Sequence, residues 1–285
     1  MTGRRCLFVD VFTDVATSGN PVAVVLDSDG LTTAEMQSFA RFTNLSETTF
    51  VTPPTVEGAD YRLRIFTPGQ ELPFAGHPTV GSAHAVATEG VVVPREGRMV
   101  QECDAGLVPI TVAPDGAIQA SAPRAEIVDV EVDAAALGAA LGGMEVVGPA
   151  LVVDAGPRWL TARLADGDAV RAATPSMSEL QRLYLAVGGT GVTVYGFDDD
   201  DGGPEVRSFA PADGIPEDPV CGSGNVSVAA HLRATGEGGR VTTGYVARQG
   251  RCVSRDGYVS VGEDADGRIT IGGHAVTVVT GEVRI

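Results

Sequence analysis

Arg64-Ile65-Phe66-Thr67-Pro68, a Pro-containing loop and Ala75-Gly76-His77-Pro78-Thr79-Val80 recur later in the chain. The second copy reads Arg207-Ser208-Phe209-Ala210-Pro211, another Pro-containing loop and Cys221-Gly222-Ser223-Gly224-Asn225-Val226. The offsets, 143 and 146 residues, are about half of the 285-residue length. Upstream of the first copy, a helix predicted over Thr33–Thr43 leads into Ser46-Glu47-Thr48-Thr49-Phe50-Val51. Its counterpart, predicted over 176–185, leads into Thr190-Gly191-Val192-Thr193-Val194-Tyr195 at a similar offset. Four elements in one order indicate duplication. The expectation is two similar halves meeting within 115–150. They are set at 1–119, with the last strand 276–285 as a candidate addition to the first half, and 120–275.

Strands dominate each half. Residues 108–112, 193–197 and 275–279 carry the β-branched, partly alternating pattern of half-buried strands. Asp198 to Asp201, followed by Gly202-Gly203, reads as a solvated hairpin tip. Two segments, 78–88 and 226–235, are helical yet small or apolar on every side, which marks buried helices. The fold class is α+β: two pseudo-symmetric halves, each a curved sheet around one central helix.

Composition narrows the function. The 37 acidic and 20 basic residues give a formal charge of −17, which repels nucleic acid and anionic lipid. All 20 basic residues are Arg, and without a lysine amine pyridoxal enzymes, Schiff-base aldolases and P-loop NTPases are excluded. Cys6, Cys103, Cys221 and Cys252 show no CxxC pairing and no His at ligand spacing, so neither a zinc site nor a disulfide framework is expected. The N-terminus meets Asp10 too early for a signal peptide, and Glu145 and Gly148-Pro149 break the most apolar stretch, 134–153. A cytoplasmic protein without a metal site is expected.

Both buried helices begin at Gly-containing turns. Glycines admit a ligand to exposed N–H groups, and a helix start carries partial positive charge, so each turn is a candidate carboxylate cradle. Tight turning alone would also account for the glycines. Glu47 stands where a helix hands over to an apolar strand; an acid buried there has a raised pKa and can shuttle protons near neutral pH. The bland alternative is an exposed strand end. The duplicate offers Gly191 at this position, which makes any site asymmetric. Glu217-Asp218 places two acids beside the second helix start, for chemistry or for the helix dipole. His77 is either its helix's cap or a neutral donor, while His84, His231 and His274 read as structural.

The sequence resembles the PhzF-like phenazine-biosynthesis proteins of the diaminopimelate epimerase superfold, nearly end to end. The resemblance lies in Asp10-x-Phe12-Thr13, Ser18-Gly19-Asn20-Pro21, Asn44-Leu45-Ser46-Glu47-Thr48-Thr49-Phe50 and Arg64-Ile65-Phe66-Thr67-Pro68. It continues through Glu71-Leu72-Pro73-Phe74-Ala75-Gly76-His77-Pro78-Thr79, Gly106-Leu107-Val108-Pro109 and Glu217-Asp218-Pro219-x-x-Gly222-Ser223. It implies two barrel-like halves, each around a helix, with an active site in the cleft between them. It further implies a homodimer, Glu47 as general acid/base, and His77, Asp218 and Ser223 as the polar residues lining the site with it. Asn20, Gly76, Gly222, Ser223 and Gly224 are the implied substrate-binding residues.

The implied reaction is a cofactor-independent isomerisation of a small unsaturated carboxylic or amino acid, as with a dihydro-hydroxyanthranilate. Cys221 departs from the family, whose members usually have Thr or Ala there. Diaminopimelate epimerases and proline racemases use a cysteine at that position, paired with a second one where this chain has Ala75. Two alternatives therefore stand beside the isomerase: an epimerase or racemase using Glu47 and Cys221, and a non-catalytic small-molecule-binding module.

Overall fold

A computed structural model describes residues 3–122, 124–198 and 202–285. The chain divides into two compact units, Met1–Ser121 with Gly272–Ile285, and Ala122–Ile271. Asp199 to Asp201 of the expected hairpin tip lie outside the described residues, whereas Asp198 is tied to Arg171 at 2.6 Å.

In the first unit, Gly3–Val11 lies between Ala275–Arg284 and Asn20–Val25, antiparallel to both. Asn20–Val25 runs parallel to Glu47–Thr52, which is antiparallel to Tyr61–Phe66. That strand is parallel to Arg98–Cys103, and Gly106–Val112 and Ile118–Ser121 follow as antiparallel neighbours. A parallel pair needs a crossover, and the helices Thr33–Thr43 and Gly76–Thr88 supply the two. The first crossover helix is set by local chemistry. Thr32 and Glu35 form a reciprocal capping box, and Asn44, with φ of 54°, ends the helix in the left-handed region where Asn is tolerated. The chain thereby turns directly into Ser46 and Glu47.

Helix Gly76–Thr88 is buried from Gly76 to Ala83 and again at Ala85 and Val86. It packs against strands from both ends of the sheet order, Ala275–Arg284 and Ile118–Ser121, so the sheet curls around it. Small residues make that enclosure possible. A Cβ on Gly81 would fall 2.5 Å from Val22 Cγ1 and 2.8 Å from Val11 Cγ2, on stiff β-branched side chains. Gly81→Ala is therefore expected to destabilise the protein by about 1–3 kcal/mol despite alanine's better helix propensity. A lowered urea midpoint measures it, and an unchanged or raised midpoint refutes the packing argument.

The second unit repeats this plan. Its strands run Glu126–Val128, Val146–Asp154, Arg158–Leu164, Gly191–Phe197, Pro204–Ala210, Tyr245–Gln249 and Gly257–Glu263. The same two junctions are parallel, Arg158–Leu164 with Gly191–Phe197 and Pro204–Ala210 with Tyr245–Gln249. Crossover helices Met177–Ala186 and Gly222–Ala234 match those of the first unit. The duplication extends to an ion pair: Arg64 grips Glu71 with two 2.6 Å bonds, and Arg207 grips Glu217 at 3.0 and 2.8 Å. Each guanidinium also lies over the phenylalanine two residues on, Phe66 or Phe209.

The structure corrects two sequence expectations. Both central helices start earlier, at Gly76 rather than 78 and at Gly222 rather than 226. Pro78 occupies the first turn, where no N–H is required, and the glycines Gly76, Gly222 and Gly224 are helical residues rather than a preceding turn. Glu217 is held by Arg207 beneath the protein surface, so it is not an acid presented to the helix start.

Candidate active site

Glu47 is the first residue of its strand and pairs with Val22. Its side chain keeps 15% of its surface exposed, and its Oε2 lies 3.4 Å from His77 Nε2. Oε2 itself is buried and makes no hydrogen bond among the described residues. Loss of water around the carboxylate raises its pKa to about 7, and a hydrogen bond with Ser46 offsets part of that rise. The bland alternative, an exposed strand end, therefore fails for Glu47. His77 is buried at 5% exposure and is the second residue of its helix. The cap is Ala75, which offers no side-chain bond, so His77 does not cap.

Asn20, 1% exposed, opens the strand paired to Gly3–Val11. The turn before it is held by Asp10, whose Oδ2 accepts the Gly19 N–H at 3.0 Å. Only glycine fits at that position: a Cβ on Gly19 would fall 2.1 Å from the Val11 carbonyl oxygen.

In the second unit, Cys221 is the N-cap of helix Gly222–Ala234, and its Sγ accepts the Gly224 N–H at 3.3 Å. Gly224 also works by lacking a side chain, since a Cβ there would fall 2.4 Å from Ser208 Oγ. Ser223, the second residue of this helix, has its Oγ 3.6 Å from Cys221 Sγ and accepts the Trp159 indole N–H at 3.0 Å. The half-buried Asp218 accepts the Val220 N–H at 3.0 Å, closing the turn that leads into the helix.

Gln249 holds this turn together. Its Oε1 accepts from the Cys221 N–H and Asn225 Nδ2, and its Nε2 donates to the Asp218 carbonyl. Neither Gln249 nor Trp159 lies in a recognisable motif; the one signal in the sequence is that Trp159 is the single tryptophan.

Two further histidines are occupied structurally, whereas His274 is exposed. His84 contacts Thr277 at 3.0 Å, and His231 lies between Tyr195 and the Pro149 carbonyl. Burial lowers the pKa of both. Among the described residues no cluster of three or more His, Cys, Asp or Glu is arranged to hold a metal ion, and no helix is long and apolar enough to cross a membrane.

Known proteins are similar to this chain in sequence and in fold. The chain is 38% identical to antisense-enhancing sequence 1 of Schizosaccharomyces pombe over 99% of each chain. It is 36% identical to the trans-2,3-dihydro-3-hydroxyanthranilate isomerase of Pseudomonas aeruginosa over 80% of each. A PhzF-family phenazine biosynthesis protein from Bacillus anthracis superposes with a TM-score of 0.86 at 26% identity, covering all of both chains. The phenazine biosynthesis-like (PhzC-PhzF) family profile matches residues 9–281, and with the same duplicated sheet-around-helix fold the chain belongs to that family, as an enzyme of the isomerase class.

Proposed function

We propose that this enzyme moves a proton within a small unsaturated carboxylic or amino acid of the trans-2,3-dihydro-3-hydroxyanthranilate type, with Glu47 as general acid/base. The observation that carries the proposal is a desolvated carboxyl group titrating at about 7 beside a buried histidine at a helix start. A group with that pKa is populated in both protonation states near neutrality, as a shuttle requires. Glu47 as carboxylate removes a proton from a carbon conjugated to the substrate's unsaturation, and the electron pair delocalises through the conjugated system. Protonated Glu47 then returns the proton to a different carbon. The substrate's double bond shifts, no electrons are gained or lost overall, and the step asks for no redox partner.

His77 serves as a hydrogen-bond donor, and the Gly76 N–H at the helix start as a cradle for the substrate carboxylate. Asn20, Asp218, Gly222 and Ser223 complete the proposed substrate contacts, with Gly224 supporting its turn. The test is incubation with trans-2,3-dihydro-3-hydroxyanthranilate in D2O, followed by NMR. Isomerised product or deuterium in recovered substrate is expected; neither appearing would overturn the proposal and favour a non-catalytic binding module.

One observation favours a second reading, epimerisation through Cys221: the thiol sits at a helix start, where the dipole stabilises thiolate. Cys221→Ser separates the two. Serine also caps helices, so the leading proposal expects kcat/KM to stay roughly unchanged. A loss of about 100-fold or more would make the thiol an acid/base.

A further inference from the structure

Gly191 occupies in the second unit the place that Glu47 holds in the first. Each opens the strand that follows a crossover helix, and each pairs in parallel with the strand before it, Gly191 with Trp159 and Glu47 with Val22. The absence of a side chain at 191 has a cause. A Cβ there would fall 2.5 Å from Cζ3 of the Trp159 ring and 2.4 Å from the Phe209 carbonyl oxygen. The indole, 4% exposed, fills the space beside this position, and its Nε1–H donates to Ser223 Oγ at 3.0 Å. Ser223 is the second residue of its helix, as His77 is of the other. One backbone plan therefore sets a carboxylate against the helix-start side chain in the first unit and an N–H donor against it in the second.

The geometry points to Trp159 as the positioning residue that fixes the hydrogen-bonding sense of Ser223. A hydroxyl has one proton and two lone pairs. With the indole N–H on one lone pair, the Ser223 proton is directed away from the ring. Among the described residues the one other contact of this hydroxyl is Cys221 Sγ at 3.6 Å, a long and weak acceptor that already takes the Gly224 N–H. The hydroxyl is thus poised as a donor to an incoming carboxylate or developing oxyanion, and a chain without lysine gains a neutral anion-binding donor. This inference rests on the proposal that Ser223 contacts substrate.

The single Trp gives one indole N–H resonance, which makes the test direct. In the ligand-free protein, Ser223→Ala is expected to move that resonance, because its acceptor is lost. Titration with 3-hydroxyanthranilate, an aromatic counterpart of the proposed substrate, is expected to move it in the wild type and not in Ser223→Ala. Trp159→Phe keeps an aromatic ring without the N–H, and kcat/KM for trans-2,3-dihydro-3-hydroxyanthranilate is expected to fall about 10-fold. The double variant is expected to be no worse than Ser223→Ala alone. If Phe unsettles the core, benzothienylalanine at 159 keeps the ring size and replaces N–H by sulfur.

Additive losses in the double variant, or an indole resonance indifferent to both Ser223→Ala and ligand, overturn the inference. Its failure is distinguishable from failure of the acid/base assignment, which is read separately from proton exchange in Glu47→Gln.

Discussion

Glu47→Gln is expected to cut proton exchange and isomerisation by about 10²–10⁴-fold while making the protein more stable at alkaline pH. Both effects come from one feature, a carboxylate deprived of water. Glutamine has nearly the same shape and cannot accept a proton from carbon, so substrate binding should survive while turnover is lost. The stability effect follows from linkage. Glu47 titrates at about 7 in the folded protein and at its ordinary 4.5 when unfolded, so between those values the folded state holds the extra proton.

Wild-type stability therefore declines as pH rises from about 4.5 through 7, and the deficit levels off above that at about 3 kcal/mol. Below pH 4.5 the acid is neutral in both states and the deficit vanishes. Urea titrations at pH 9 and pH 4 check this: Gln should raise the midpoint at the first and leave it nearly unchanged at the second. Equal effects at both pH values would mean that the carboxylate is solvated, and the acid/base assignment would fall with it. For the free enzyme, kcat/KM should rise with pH through about 7 as the carboxylate becomes available to accept the proton.

Arg207→Ala is expected to be the most damaging substitution for stability outside the central helices, costing about 3–5 kcal/mol. The guanidinium is only 6% exposed and its partner Glu217 only 9%. Besides its two bonds to Glu217, Arg207 donates to the carbonyls of Val170 and Ala173 at 3.0 and 2.7 Å. Truncation leaves a buried carboxylate without a counter-charge and two carbonyls without that donor. The duplicate supplies the control. Arg64 and Glu71 make the same forked pair at 19% and 24% exposure, where water can replace what is lost. Arg64→Ala should therefore cost about 1–2 kcal/mol.

Thermal melts should separate the two variants by several degrees, with Tm falling roughly 10 °C for Arg207→Ala. Equal losses would show that burial does not govern the pair. Activity should fall as well in Arg207→Ala, because Glu217 anchors the strand Ile215–Asp218 and thereby the turn that presents Asp218 and the helix start.

Much of this was legible in the chain. The repeat of an Arg-x-Phe strand followed by a Gly-bearing helix start exposed the duplication, because each half must enclose its own helix. Small residues let a tightly curled sheet close on the helix where the two approach most nearly, as Gly81 against Val22 and Val11 shows. Glu47 stood out because a carboxylate heading an apolar strand is costly unless it has work to do. The helix starts were misplaced because glycine and proline at 76–78 and 222–224 read as a turn. In the fold they form the first turn, where missing donors and weak helix propensity cost least.

Sequence alone determined the duplicated topology, the two central helices and the exceptional carboxylate, since periodicity, residue size and charge are local properties that survive without coordinates. Only the tertiary structure decided that Glu47 loses its water beside His77, that Glu217 belongs to Arg207, and that Trp159 takes the space above Gly191 to reach Ser223. These depend on which side chains meet across strands dozens of residues apart, and desolvation and hydrogen-bond direction are set by that meeting rather than by any stretch of chain.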